Sequence, residues 1–563
     1  MRYSDLTDIY EKLESTTKHL EKTAALSEFL KKVPAKELES VILLLQGRVF
    51  PEWDTREIGI GAKLAIKAIA QVAGLSSEEV EEHWKKIGDL GKTAEHLLKK
   101  KKQKALFEEE LTIKKTLENL RKIAELEGPG TVEKKVGYLA DLLTGAEPKS
   151  AVYLIRTCLE ELRIGAGAGI IKNAIADAFE VNDDLVELAH NLSTDFGHVA
   201  EVAKEKGEKG LEKIGLTLGN PLKVMLAQRV KDIAEGFETV GKPAAFEYKY
   251  DGFRMQVHKK GDKVVIFTRR LEEVTKQFPE IAEAIKKAVH AKEAVLEGEA
   301  IGYDPKTGKS RPFQEISQRI KRKYDIEEIE KQFPVELNIF DLIYLDGETF
   351  LETPFEERRK KLEKIVKPIP KKVVLSKMLI TDNEKDAAKF YKEALEASQE
   401  GVMIKNLSAG YKPGSRVGNM VKLKPIMETL ECVIVGGEWG AGKRAHWLSS
   451  FVLAVRDPET GEFLEIGKMG TGVKEKESET GVTFEQLTKM LEPLITESKG
   501  KEVKVKPKIV IEVAYEEIQK SPSYSSGFAL RFPRLVRYRD DRRPDDADDL
   551  DRVKELYETQ RGR

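Results

Sequence analysis

The stretch that decides the fold is AAFEYKYDGFRMQVHKKGDKVVIFTRR, Ala244 to Arg270. From Ala245 its side chains alternate: Phe246, Tyr248 and Tyr250 fall on one face of a strand, Glu247 and Lys249 on the other. RMQVHKKGDKVVIFTRR then reads as a hairpin turning at Lys260-Gly261-Asp262. Inside this stretch KYDGFR, Lys249 to Arg254, sets a lysine near a strand end, followed by a glycine-permitted turn and an arginine. That arrangement suits a nucleophile facing a phosphate. A lysine amine is ordinarily protonated at neutral pH and attacks only after losing its proton, which neighbouring cations, a metal and partial desolvation favour. Attack on the α-phosphate of a nucleotide would give a phosphoramidate and release pyrophosphate. Taken alone, the hexapeptide also fits a surface lysine beside a tight turn.

Outward from this stretch the texture changes on both sides. Residues 1 to about 218 read as helical: Ile9, Leu13, Leu20, Ala24 and Phe29 recur at three-to-four-residue spacing, and similar stripes run through AKELESVILLLQG, TIKKTLENLRKIAELEG and LVELAHNLSTDF. The change of texture falls at Gly219-Asn220-Pro221, and strands and helices then mix until about Pro425. The remainder opens with the strand-like ECVIVGG and continues through SSFVLAVRDPETGEFLEIGKMG, with DPETGEF as a strong turn signal; it reads as a small β barrel. The acidic tail DDRRPDDADDLDRVKELYETQR is expected to end as a helix starting near Pro544. Three domains follow: 1–218, all-α; 219–426, α+β; and 427–563, a β barrel with a C-terminal helix.

Composition bounds the setting. A chain of 563 residues is too long for one ordinary domain. Charged residues reach 34%, above the usual ~25%, which is compatible with a protein rich in ion pairs. Net charge is only −1, so a nucleic-acid surface must come from segregated charges, not from an excess. Cys158 and Cys432 are the two cysteines, so the chain builds neither a disulfide framework nor a four-cysteine zinc site. The opening MRYSDLTDIYEKLESTTKHLEK lacks the apolar core of a signal peptide, and no stretch approaches the ~18 uninterrupted apolar residues of a membrane span. A cytoplasmic monomer without membrane contact is the expectation.

Further chemistry-bearing segments follow the lysine in order. FTRRLEEVT supplies Arg269 on the hairpin's return strand. AVLEGEA sets Glu297 and Glu299 on one face, where carboxylates suit a ribose or a magnesium ion. NIFDLIYLDGE contains Phe340, whose ring suits stacking on a base, and EGVMIK gives Glu400 and Lys405. VKLKP alternates Lys422 and Lys424 outward with Val421 and Leu423 inward, so that two ammonium groups face one phosphate. Each has a bland reading, Phe340 as core and the lysine pair as a solvated strand face. Their joint occurrence around one candidate nucleophile is what argues against it.

These ordered segments resemble the motifs of the covalent nucleotidyltransferases: DNA ligases, RNA ligases and mRNA capping enzymes. RFPRLVRYRDD resembles the final motif on the ligase OB-fold domain, and GEWGAGKRAHWLSSFVLAVRDPETGEF resembles the OB domain of replicative ATP-dependent DNA ligases. LIRTCLEELRIGAGAGIIKNAIADAF looks like the helical DNA-binding domain of archaeal and eukaryotic-type ligases. The resemblance thus implies an all-α DNA-binding domain, an α+β adenylation domain and an OB-fold β barrel, with ATP and Mg²⁺ as cofactors and nicked double-stranded DNA as partner. It implies Lys249 as the adenylated residue, Glu247 as reader of the adenine amino group, and Arg254 and Arg269 as nucleotide and nick-phosphate contacts. It further implies Glu299 as the ribose or metal carboxylate, Phe340 stacked on adenine, Glu400 as a metal carboxylate and Lys405 as a nucleotide contact. Lys422 and Lys424 match the phosphate pair, and Arg531 the final-motif arginine that assists the first step.

In the helical region, Gly165, Gly167 and Gly169 would let backbone amides approach a DNA phosphate, with Arg163 adding charge; a plain helix-to-helix turn is the competing reading. KKKKQK, ending at Lys104, suits phosphates but also suits a solvated helix face. Gln103 to Phe107, QKALF, is similar to the sliding-clamp box of archaeal replication proteins and equally fits a helix end. Three departures from the family pattern stand out: Met420-Val421 where a tryptophan is frequent, Val224 in place of a second proline, and Arg542 where a lysine is usual. Arginine keeps the charge, but its fork differs from an ammonium. A capping guanylyltransferase would not need the helical region, an NAD-dependent ligase would need four cysteines, and a catalytically dead scaffold would not need Lys249, Glu299, Glu400, Lys422 and Lys424.

Overall fold

The computed structural model describes every residue except 55, 100–109, 129, 312–315, 317–318, 321–325, 426–428, 441–443, 477–480 and 561–563. From Tyr3 to Leu211 the chain forms a run of α-helices around one apolar core. The helix Ile113–Glu125 shows why: Ile113, Leu117, Leu120 and Ala124 are buried at three-to-four-residue spacing, and the Thr112 side chain caps it by accepting from the Lys115 amide at 3.2 Å. The stripe from Ile9 to Phe29 does not lie on one helix face. The helix Tyr3–Glu14 ends before a second one, His19–Lys32, and the break resets the phase. Leu20 is 84% exposed and Ala24 faces solvent, while Ala25, Leu26 and Leu30 are buried.

Past the helices the chain is tied down by specific hydrogen bonds. The Gly219 amide donates to His258 Nδ1 at 3.1 Å, and Leu222 exchanges two bonds with Gln256, at 2.9 and 3.2 Å. Burial lowers His258 to about 3, so its imidazole stays neutral and keeps Nδ1 as an acceptor. Lys223 donates its amide to the Asn191 carbonyl at 2.8 Å and pairs its ammonium with Glu52. Asn191 in turn donates to the Pro413 carbonyl at 3.0 Å.

Twelve strands follow in the described middle region: β1 (Leu226–Val230), β2 (Ala244–Lys249), β3 (Phe253–Lys260), β4 (Lys263–Thr268), β5 (Glu293–Tyr303), β6 (Ser310–Arg311), β7 (Val335–Leu345), β8 (Glu348–Thr349), β9 (Val373–Leu375), β10 (Met378–Thr381), β11 (Gly401–Asn406) and β12 (Arg416–Leu423). They form two sheets, one in the order β1-β12-β11-β2-β10, the other β4-β3-β5-β7-β8 with β6 on β5 and β9 on β7. The expected hairpin is β3–β4, where Lys260 pairs with Lys263 and Gly261 takes φ +57°. Two compact units result. One holds Met1–Ala227, Gly252–Ser376 and Leu407–Val417; the other holds Gln228–Asp251, Lys377–Asn406 and Gly418–Arg563. The boundary falls inside KYDGFR, after Asp251.

The C-terminal strands are β13 (Leu430–Trp439), β14 (Leu448–Arg456), β15 (Phe463–Met469), β16 (Ile495–Lys499), β17 (Glu502–Ala514), β18 (Glu517–Lys520), β19 (Phe528–Arg531) and β20 (Arg534–Tyr538). They pair antiparallel as β15-β14-β13-β17-β16 with β20 on β17, while β18 and β19 pair separately. DPETGEF makes the β14–β15 turn, with Gly461 at φ +74°. The final helix is Leu550–Thr559, later than expected. Asp548 explains the delay: its amide donates to the Glu431 carbonyl at 2.9 Å and its carboxylate accepts from the Glu431 amide at 2.7 Å. That exchange holds the backbone extended, and Pro544–Asp546 makes only a 3-10 turn. Among the described residues no helix is long and apolar enough to cross a membrane.

Candidate active site

Strand β2 lies inside its sheet, between β10 and β11. Its alternation is as read from the sequence. Phe246 is fully buried with its ring 5.3 Å from that of Phe237, and Tyr248 lies 5.0 Å from Phe390, so the apolar face is covered by the helices Ile233–Val240 and Glu384–Glu396. The opposite face collects the chemistry. Register sets Lys249 opposite Gly401, Glu247 opposite Met403, and Lys422 opposite Met403 from the far side, so these positions share one surface of the sheet.

Glu400 organises this surface. Its Oε2 lies 2.7 Å from Lys249 Nζ and 2.7 Å from Lys424 Nζ, and its amide donates to the Lys249 carbonyl at 2.9 Å. Burial alone would raise this carboxyl; the two ammonium groups outweigh burial and hold it down at about 2. Lys424 also reaches Glu516, at 3.6 Å. Two residues back along β2 from Lys249, Glu247 forms a buried ion pair with Lys405 of the adjacent β11. Gly401 has φ +137°, and a Cβ there would meet the Leu423 carbonyl oxygen at 2.1 Å, so close strand approach requires glycine beside Lys249.

The other unit carries the remaining middle-region residues. Arg254 pairs with the fully buried Glu297, donates to the Met225 carbonyl at 3.1 Å, and holds its guanidinium 5.2 Å from the Phe340 ring centroid. Glu299 sits opposite Arg254 in β3 and Asn338 in β7. Phe340 is half-buried, not core. The register jumps from Glu297–Asp341 to Gly298–Ile339, which leaves Phe340 as the extra residue of a β-bulge, a device that re-aims a side chain. Gly252 admits the backbone of β5: a Cβ there would lie 2.2 Å from the Ala300 carbonyl oxygen. Arg269 is exposed just past β4.

In the C-terminal region Arg531 pairs with Glu517 at 3.5 Å and lies over the Phe532 ring, itself 68% exposed. Arg542 reaches Glu431 at 3.5 Å, a carboxylate that also pairs with Arg539. In the helical region Arg163 pairs with Glu161, and Gly167 caps the helix Ala168–Phe179 without a side-chain cap. Gly167 and Gly169 border open space, whereas Gly165, at φ +64°, lies against Lys22, whose ammonium donates to the Ile164 carbonyl at 2.5 Å. Lys104 and Gln103–Phe107 lie outside the described residues. Sequence reading had no signal for Glu516, Glu517 and Glu431, because each meets its partner through tertiary pairing and not through local spacing.

A lysine, an acidic partner and a lysine pair share one sheet surface, with an apolar face behind them, an arrangement that fits the class of nucleotidyltransferases. Comparison with known proteins narrows the class. Residues 2–176 match the DNA ligase N terminus, 224–424 the ATP dependent DNA ligase domain, and 444–542 the ATP dependent DNA ligase C terminal region. A DNA ligase of Nanoarchaeum equitans is 51% identical over 563 residues, covering 100% of this chain and 99% of that one. A DNA ligase of Thermococcus onnurineus is 47% identical, covering 100% and 98%. The solved structure titled Pmar-Lig_Pre shares the fold with a TM-score of 0.56 at 16% identity, covering 95% of this chain and 99% of that one. The chain belongs to the ATP-dependent DNA ligases.

Proposed function

We propose that Lys249 carries the AMP and that the residues around it divide the work of nick sealing. Lys249 Nζ attacks the α-phosphorus of ATP, forming an N–P bond as the bond to pyrophosphate breaks. The nick's 5′-phosphate then takes the AMP and restores the lysine. The 3′-hydroxyl oxygen finally attacks that 5′-phosphorus, AMP leaves, and the phosphodiester is closed. Little covalent help is needed beyond the lysine, so the protein's share is positioning and charge neutralisation. The observation that carries this reading is the Lys249–Glu400–Lys424 cluster at the end of β2.

Glu400, held ionised, fixes the position of Nζ, and an ammonium so held must lose its proton before it attacks. Lys422 and Lys424 receive the phosphates, Arg254 and Arg269 contact nucleotide or nick phosphate, Phe340 stacks on adenine, and Arg531 assists the first step. Among the described residues no three carboxylate, imidazole or thiol groups gather into a metal cage. Magnesium takes one or two carboxylates plus substrate phosphates. Glu400 would hold such an ion, which would neutralise phosphate charge, and Glu299 keeps its ribose or metal role.

Gly165, Gly167 and Gly169 with Arg163 grip the DNA backbone, a sequence-independent contact suited to nicks anywhere. Lys104 adds to that grip, and Gln103–Phe107 docks a sliding clamp. We keep the domain limits 1–218, 219–426 and 427–563, and an intracellular monomer. The test is Lys249→Ala with labelled ATP: it should abolish covalent AMP yet still seal, slowly, a nick already adenylated at its 5′ end. Normal labelling of that variant overturns the assignment.

A further inference from the structure

Lys405 sits in the second unit, on the strand next to Glu247. In register Lys405 lies opposite Ala245 and Glu247 opposite Met403, so the two are diagonal neighbours on one face, within reach of a long side chain. Their side chains meet in an ion pair in which Lys405 is 5% and Glu247 2% exposed. The residues directly opposite Glu247, Met378 on β10 and Met403 on β11, carry no charge. An ammonium is thus built into the sheet beside a carboxylate that water does not reach.

We propose that Lys405 is a positioning residue for base choice: by anchoring Oε2 it holds the Glu247 carboxylate in place as an acceptor, and thereby selects adenine over a 6-oxopurine. This rests on Glu247 reading the base. An ionised carboxylate offers only lone pairs, whereas a protonated one also donates an O–H. The exocyclic amine of adenine is a donor and meets those lone pairs. The 6-oxo group of hypoxanthine or guanine is an acceptor, and would face them with no proton between. Without that ammonium the carboxylate loses the partner that anchors Oε2, and with it the placement of its remaining lone pairs. The ion pair engages Oε2, and a carboxylate with about four lone-pair positions keeps acceptor capacity beside it. Lys405 therefore acts through Glu247 in place of a direct nucleotide contact.

The experiment uses the full-length protein and compares covalent loading from labelled ATP and labelled ITP, as the ratio of kcat/KM. Lys405→Met should lower that ratio at least tenfold, and Lys405→Arg should keep it within about threefold, because sites built around a hydrogen bond discriminate strongly and lose discrimination when the acceptor is no longer held in place. Loss of a merely structural lysine would slow both nucleotides alike and leave the ratio in place, which would overturn the proposal. Should Lys405→Met fail to fold, as judged by its melting curve, Lys405→Gln supplies the same neutral arm. A variant that loads neither nucleotide is read instead from the Tm shift that ATP and ITP each induce, with the same two outcomes. Glu247→Gln separates the underlying reading. If it leaves the ratio unchanged, Glu247 does not read the base and the proposal falls with it. If it shifts the ratio while both neutral Lys405 variants do not, the role of Lys405 alone is overturned.

Discussion

At the scale of single residues, Glu400 is the group on which the site's charge balance turns. Its carboxyl is held near 2, against an ordinary glutamate value of about 4.3, because two ammonium groups outweigh the cost of its burial. A carboxyl lowered on folding contributes stability that is complete above the unfolded value and is lost as pH falls toward the folded one. Wild type should therefore exceed Glu400→Gln by on the order of 1–3 kcal/mol at neutral pH, the cost of leaving a partly buried partner unsatisfied. Urea midpoints taken from pH 7 to pH 3 check this: the gap should hold to about pH 5 and shrink below 4. A gap independent of pH would mean that the amide itself, not the lost charge, is at fault.

At the scale of elements, β2 was readable because strand alternation is local: Phe246 and Tyr248 face the helices, and Glu247 and Lys249 the opposite side. What flanks it was not, since β10 and β11 come from far along the chain and no spacing announces their register. The bulge at Phe340 escaped notice for the same reason, being visible only against β5. The late start of the final helix escaped because Asp548 is held by Glu431, a tertiary contact that overrides local propensity. Gly401 tests the element directly. Gly401→Ala would press a Cβ to 2.1 Å from the Leu423 carbonyl oxygen, and a non-glycine residue held in a rare backbone region costs about 1–3 kcal/mol before that clash is counted. We expect a lowered Tm together with loss of AMP labelling. Gly461→Ala, in a turn with φ +74° and nothing within 4 Å of the added Cβ, should lower Tm slightly and label normally.

At the scale of the whole molecule, neither compact unit is one continuous stretch, yet the unit holding Lys249, Glu400, Lys405, Lys422 and Lys424 begins only at Gln228. A fragment of residues 219–563 should thus keep AMP loading. It loses the Lys223–Glu52 pair and the Asn191–Pro413 bond of the other unit, so its Tm should fall. Its affinity for nicked duplex should weaken, with a shallower log–log salt dependence of about 0.9 per lost phosphate contact. Unchanged affinity and slope would free the helices for another task. The interior place of β2 also imposes an order in time. The helices up to Leu211 have a core of their own and leave the ribosome first, whereas Asn406, the end of β11, follows Lys249 by 157 residues. At translation speeds of about 5–20 residues per second that is roughly eight to thirty seconds. The helical region of a nascent chain is therefore complete long before Lys249 can meet Glu400 and β11, and translation itself keeps this cluster unassembled until most of the chain has been made.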